Sequence, residues 1–161
     1  MKTTRVRFIT QAAMIAAIYV VLTIFISAFN LASGAIQIRI SEALTILPAF
    51  TPAAIPGLFL GCLISNLITG AMLPDIIFGS LATLLGALGT YFLRKYKWAI
   101  PLPPILANVL IIPWILSYVY GFPGSIPYFM LTVGVGEIIS CGVLGMILYG
   151  TLAKYRHILF K

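Results

Sequence analysis

Long apolar runs are the feature that most constrains how this chain can fold. Residues 8–29, 75–93, 99–120 and 126–150 each form a run of about 20 residues, the length that a helix needs to cross a bilayer core. Hydrophobic residues make up 61% of the 161 positions and charged residues 8%, which is too little polar surface for a water-soluble globule. The pattern excludes a cytosolic enzyme, a secreted disulfide scaffold and a disordered chain. It predicts a single-domain, all-α integral membrane protein over residues 1–161.

The stretch 40–72 decides how many helices there are. It is too long for one spanning helix and slightly short for two. It contains three prolines, and proline cannot continue the hydrogen-bond ladder of a helix. We therefore predict a break near 51–55, with one helix at 40–51 and another at 55–72, which makes six transmembrane helices in all.

The basic residues predict the orientation of the chain. Ten Lys and Arg against three acids give a formal charge of +7, which in a soluble protein would suggest nucleic acid as a partner. Here nine of the ten fall in three groups at the ends of apolar runs, which is the positive-inside pattern. Six helices put all three groups on one side, so we predict that both termini are cytoplasmic. The groups are Lys2, Arg5 and Arg7; Arg94, Lys95 and Lys97; and Lys154, Arg156 and Lys161.

The residues that most enzymes need are scarce. The single histidine, His157, lies in the basic C-terminal tail, and Cys62 and Cys141 are interpreted as small core residues. The phosphate-binding pattern G-x-x-x-x-G-K-[ST] does not occur, so the chain carries no nucleotide-driven motor of this type. We expect no enzyme activity, no metal and no cofactor.

A small set of polar residues inside the apolar runs predicts a binding pocket. Polar groups within a bilayer are costly and mark functional positions. With six helices they fall in the outer half of the membrane or at mid-depth, and Glu137 is mid-helix without a helix end to stabilise it. Simpler explanations are helix starts for two of the acids, snorkelling for the arginine and interhelical hydrogen bonds for the amides. The candidate residues are Arg39, Glu42, Asn66, Asp75, Asn108 and Glu137.

Two further features complete the predicted pocket. Polar and apolar residues alternate in 36–40, which predicts an extended segment that turns Gln37 and Arg39 toward the pocket mouth. Trp114 and Tyr118 are candidates for a stacking surface, with the membrane-interface belt as the alternative. Three carboxylates against one arginine disfavour an anion, so the predicted ligand is a flat, neutral or cationic heterocycle such as a purine-like base.

Four stretches of the chain resemble the QueT family. They are Gln37-Ile-Arg39-Ile-Ser-Glu42-Ala-Leu, Gly57…Gly61-Cys-Leu-Ile-Ser-Asn66, Asp75-Ile-Ile-Phe-Gly79-Ser-Leu-Ala-Thr83 and Gly136-Glu137. The resemblance implies a six-helix substrate-binding (S) component of an energy-coupling factor (ECF) transporter, a class of ABC importer. It implies a queuosine precursor as substrate, that is, a 7-deazaguanine such as preQ1, preQ0 or queuine. It also implies a transmembrane coupling protein and two ATPase subunits as partners.

The resemblance also implies a docking surface on the first helix. Ala12, Ala13, Ala16 and Ala17 form a smooth face that would contact the coupling protein, with packing inside the chain as the alternative. Our leading hypothesis is therefore a vitamin-like substrate carrier in the cell membrane. The alternatives are a stand-alone secondary transporter of a small heterocyclic or cationic solute and a membrane enzyme.

Overall fold

The structure of the protein, a computed structural model, describes the backbone of residues 2–28 and 39–159 and the side chains of residues 4–28 and 39–155. Within these ranges all regular structure is helical and there is no strand. The prediction of an all-α bundle of six helices is confirmed.

The helices follow the predicted order, and the last one is continuous but has three parts. The bounds are α1 Lys2–Ala28, a 3₁₀-helix η1 Ile40–Ala49, α2 Ala54–Ile68, α3 Leu73–Leu93, a short 3₁₀ turn Lys97–Ala99, α4 Leu102–Tyr118, α5 Ile126–Glu137, a π-helical segment Ile138–Leu144 and α6 Gly145–Leu159.

Within the described residues, four helices are long and apolar enough to cross a membrane alone. They are Thr4–Ala28, Leu73–Leu93, Lys97–Tyr118 and Ile126–Tyr155. The 10 residues of η1 and the 15 of α2 are shorter. At a rise of about 2.0 Å per residue in a 3₁₀-helix and 1.5 Å in an α-helix, each is about 20 Å long, against a bilayer core of about 30 Å. The prediction was thus right in number, but two of the helices are short.

The 3₁₀-helix η1 lies inside the bundle. Every residue from Ser41 to Pro48 is buried, and η1 packs against α1, α3, the π-helical segment and α6. At Gly145, where α6 begins, an added Cβ would lie 3.1 Å from Ile46 of η1. Because η1 is surrounded in this way, its polar residues meet those of other helices instead of lipid.

Small residues let α1 and α2 approach closely. A Cβ added at Gly57 would lie 2.7 Å from the backbone oxygen of Ala12, and one at Gly61 would lie 3.1 Å from that of Ala16. The spacing of these glycines is that of a small-xxx-small contact between membrane helices. Ala12 and Ala16 therefore pack within the chain, whereas Ala13 and Ala17 are exposed. The docking face on α1 remains a prediction, and Ala13 and Ala17 are the two of its four alanines that are exposed.

Candidate functional site

The deepest polar contact joins Glu42 of η1 to Tyr19 of α1. The Tyr19 hydroxyl donates a short hydrogen bond to Glu42 Oε1, and the hydroxyl of Thr83 on α3 lies 3.5 Å from the same oxygen. Glu42 is fully buried, and its other oxygen, Oε2, has no hydrogen-bond partner among the described residues. One oxygen of this carboxylate is thus held by Tyr19, with Thr83 nearby, and the other has no hydrogen-bond partner among the described residues.

Glu137 and Cys141 lie beside Glu42. Glu137 ends α5, and the π-helical segment that follows it carries Cys141 one turn further on. The Cys141 thiol donates to Glu137 Oε2 at 3.1 Å, and its sulfur is 3.4 Å from the backbone oxygen of Glu42. One ligand atom from each of the three residues lies within 4.8 Å of the others. Short π-helical stretches often occur at functional sites, and this one places two side chains against η1.

Asn108 adds an amide to this group. It lies on α4, is almost completely buried, and approaches the carboxylate of Glu137. Its Nδ2 makes no hydrogen bond to any of the described residues. We call Glu42, Asn108, Glu137 and Cys141 the deep group. It contains both a free acceptor and a free donor.

A second polar group lies near the start of α3. Asp75, in the first turn of α3, accepts a hydrogen bond from the Tyr120 hydroxyl to Oδ2 at 2.9 Å, while its Oδ1 has no partner among the described residues. Tyr120 in turn accepts a bond from the backbone N–H of Met72 at 3.3 Å. Burial raises the pKa of the Tyr120 phenol above its ordinary value, so this residue remains a donor. Asn66 of α2 is also buried, and its Nδ2 and Asp75 Oδ1 both lie near Gly79 of α3.

Gly79 has no side chain at the point where Asp75 and Asn66 meet α3. A Cβ added there would lie 3.1 Å from Asp75 Oδ1 and 3.3 Å from Asn66 Nδ2. Asp75, Gly79 and Thr83 are spaced at four-residue intervals, so they lie along one face of α3. Eight residues of an α-helix correspond to about 12 Å, which separates Asp75 from the level of Glu42. We call Asn66, Asp75 and Tyr120 the outer group.

Arg39 is the basic residue of the site. It precedes η1, is half-buried, and interacts electrostatically with Asp75 more strongly than with Glu42. The outer group therefore contains a carboxylate whose charge is partly balanced. The deep group has two carboxylates and a weaker interaction with Arg39.

Glu42 lies deeper in the bundle than its place at the start of a helix suggests. It meets Thr83, near the middle of α3, and Tyr19, well inside α1. The reason is that η1 enters the bundle at its first residues instead of lying at the rim. Glu42 therefore joins Glu137, which was expected at mid-depth.

Trp114 and Tyr118 lie apart from these polar contacts. Their rings stack at 5.9 Å with an angle of 6°, and they are 48% and 73% exposed. They line an apolar groove of about 340 Å³ between α3 and α4, which is typical of residues that face lipid. A stacking role for them remains a prediction that their position does not favour. Gln37 lies outside the described residues.

Sequence reasoning missed four residues that the structure brings into the site. Tyr19 and Thr83 hold Glu42, Tyr120 holds Asp75, and Cys141 holds Glu137. Cys141 was interpreted as a small core residue. The four-residue spacing of Glu137 and Cys141 was the one available signal, because such residues share a helix face.

The deep group has the donor types of a metal site, but its atoms are already engaged. Two carboxylates and a thiolate are ligands that zinc accepts. Glu42 Oε1 is bonded to Tyr19, and Glu137 Oε2 to Cys141. The atoms that remain, a carboxylate oxygen and the Asn108 amide, fit a ligand that both donates and accepts hydrogen bonds.

A family model described as QueT transporter matches residues 9–154. The chain belongs to the QueT transporter family. It is therefore a multi-pass membrane protein of a transporter family, as its four long apolar helices require. A relative from Lactococcus lactis subsp. cremoris (strain MG1363), the queuosine precursor transporter QueT, is 34% identical over 98 residues. The aligned region covers 60% of this QueT-family chain and 57% of that relative. No solved structure matches the chain significantly.

Proposed function

We propose that this chain is the substrate-binding subunit of an ECF-type ABC importer and binds a queuosine precursor from the extracellular side of the cell membrane. The observation that carries the proposal is a set of buried polar atoms that lack hydrogen-bond partners among the described residues. They are Glu42 Oε2, Asp75 Oδ1, Asn108 Nδ2 and Ser140 Oγ. Leaving such atoms unpaired costs free energy, which a complementary ligand recovers. Family membership and the name of the Lactococcus lactis relative support the substrate class.

A 7-deazaguanine such as preQ1, preQ0 or queuine has the complementary chemistry. Its guanine-like edge presents N–H donors beside a carbonyl oxygen. A carboxylate accepts the donors and an amide N–H₂ donates to the carbonyl. Glu42 and Asn108 offer this pair of atoms in the deep group.

The direction of binding follows from the orientation of the chain. Three basic groups at the helix ends support cytoplasmic termini. In that orientation α3 begins at the extracellular side, and Asp75 is in its first turn. The outer group is therefore at the entrance and the deep group at mid-membrane.

The proposed partners are a transmembrane coupling protein and two ATPases, because the chain has no phosphate-binding loop of its own. Their docking surface would lie on α1. Only 22% of the apolar window of this helix is buried, against 39–44% for the other three long helices. Ala13 and Ala17 lie on its exposed side.

Ligand binding to the purified chain tests the function. We expect saturable binding of radiolabelled preQ1 at micromolar concentration to protein in lipid nanodiscs. Adenine, which lacks the N–H and carbonyl edge, should not compete, whereas unlabelled preQ1 should. Absence of saturable binding, or equal competition by adenine, would refute the proposal.

A stand-alone secondary transporter is the second candidate. The observation that favours it is the proximity of Glu42 and Glu137 within the membrane, since buried carboxylates serve as proton relays in transporters. Uptake assays in vesicles separate the two. The ECF proposal requires ATP and partner subunits for uptake, whereas a secondary transporter would accumulate substrate with a proton gradient and this chain alone.

A further inference from the structure

The site has two separate groups of unpartnered polar atoms, and they differ in what they offer. The deep group offers an acceptor, Glu42 Oε2, and a donor, Asn108 Nδ2. The outer group offers an acceptor, Asp75 Oδ1, next to the Asn66 amide, which already contacts Cys62 Sγ at 3.7 Å. Each of these residues is more than nine-tenths buried, so their atoms are not satisfied by bulk solvent.

We propose that the two groups bind opposite ends of one ligand: the deep group pairs with the N–H and carbonyl edge of the ring, and Asp75 binds a primary ammonium at the other end. This inference rests on the proposed function and assigns the two ends of its substrate. It makes Asp75 the residue that determines preference among ring substituents.

The assignment of the ring edge to the deep group follows from its hydrogen-bonding pattern. A guanine-like edge needs an acceptor and a donor side by side, and within the described residues the deep group holds one of each unpartnered. An ammonium has three donors and no acceptor. It would leave Asn108 Nδ2 without a partner in a buried place, which is costly.

The assignment of the ammonium to Asp75 follows from position and charge. Asp75 is in the first turn of α3 and is buried. Tyr120 occupies Oδ2, and the remaining oxygen, Oδ1, lies beside Gly79, which has no side chain. The separation along α3 of about 12 Å keeps this charge apart from the deep carboxylates. In a 7-deazaguanine the 2-amino group and the 7-substituent likewise lie at opposite corners of the ring system, with the carbonyl between them.

The interaction of Arg39 with Asp75 explains how ligands with a neutral 7-substituent can also bind. Because Arg39 partly balances the Asp75 charge, a ligand without an ammonium does not leave an isolated buried anion. We therefore expect Asp75 to determine which 7-substituent binds most tightly, and the deep group to be required for binding any ligand of this class.

Two ligands measured on one variant test the assignment. The probes are 7-aminomethyl-7-deazaguanine and its neutral 7-cyano analogue, and the variant is Asp75→Asn, which keeps the shape of the side chain and removes its charge. We expect the affinity for the aminomethyl compound to fall about tenfold or more, as for loss of a charge-assisted hydrogen bond, and that for the cyano compound to change less than about threefold. Thr151→Val, at an exposed site on α6, is the control and should change neither affinity.

The possible outcomes are distinct. An equal loss for both ligands, or no loss for either, overturns the assignment and leaves the proposed function standing. Failure of the wild-type chain to bind either compound overturns the proposed function together with this inference. Should Asp75→Asn not yield folded protein, the wild type is measured with the neutral 7-hydroxymethyl analogue. A preference of about tenfold for the amine supports the assignment, and equal affinity overturns it.

Discussion

Tyr19 on α1 donates its hydroxyl hydrogen to Glu42 on the 3₁₀-helix, 23 positions away along the chain. The bond fixes one oxygen of a fully buried carboxylate and leaves the other unpartnered among the described residues. It links α1 to the centre of the site.

Replacing Tyr19 by Phe tests this link. The loss of a buried hydrogen bond to a carboxylate should lower the free energy of unfolding by about 1–3 kcal/mol. Ligand affinity should fall as well, because Glu42 then has only the longer contact from Thr83. Thermal unfolding in detergent and ligand binding measure the two effects. Unchanged stability would show that this hydrogen bond does not stabilise the fold.

Replacing Glu137 by Gln should weaken ligand binding by about tenfold or more while the protein stays folded. The reason is that a carboxylate of the deep group is lost, and its partner Cys141 can still donate to the amide oxygen of Gln. Equilibrium dialysis with radiolabelled preQ1 gives the affinity, and size-exclusion chromatography checks the fold. A variant that binds as tightly as the wild type would remove Glu137 from the site.

Replacing Gly79 by Ala should place a methyl group against the side chains of Asp75 and Asn66. The new Cβ would lie 3.1 Å from Asp75 Oδ1 and 3.3 Å from Asn66 Nδ2, so both side chains must shift. We expect about a fivefold loss of affinity, equivalent to about one hydrogen bond. Gly150→Ala is the matched control, because nothing lies within 4 Å of a Cβ there. Equal behaviour of the two variants would contradict a ligand position at Gly79.

Replacing Gly57 by Ala should destabilise the contact between α1 and α2. The added Cβ would lie 2.7 Å from the backbone oxygen of Ala12, and this overpacking costs about 1–3 kcal/mol. Gly134→Ala introduces the same methyl group at 3.5 Å from Val109 and should be neutral or stabilising, because alanine favours helices. Thermal unfolding compares them. A Gly57 variant as stable as the Gly134 variant would mean that the helices readily separate.

Replacing Ala13 by Trp should separate binding from transport. Ala13 is exposed on α1, so a bulky side chain there should leave ligand affinity unchanged. It should reduce ATP-dependent uptake and co-purification of the ATPase subunits, because the docking surface is obstructed. Val143→Trp, exposed on the π-helical segment, is the control. Full uptake by the Ala13 variant would exclude this face of α1 as the docking surface.

Much of the fold was predictable because the bilayer imposes strong rules on a sequence. Apolar run length and the prolines at 48, 52 and 56 gave the helices nearly to their ends. The candidate acids and amides were predictable too, since polar groups stand out in apolar helices. The partners of those groups were not. Tyr19 has no distinguishing neighbour in α1, where both the lipid face and the protein face are apolar, so amphipathic periodicity does not show which side is inside.

The amino-acid sequence by itself determined that the chain is a helical membrane protein with a few buried polar side chains. Only the tertiary structure decided that Glu42 is deep, that it meets Glu137 and Cys141, and that Trp114 lies in an exposed groove. The physical reason is that these contacts join residues about 20 to 100 positions apart. Their geometry depends on how a 3₁₀-helix and a π-helical segment pack together, which local sequence patterns do not specify.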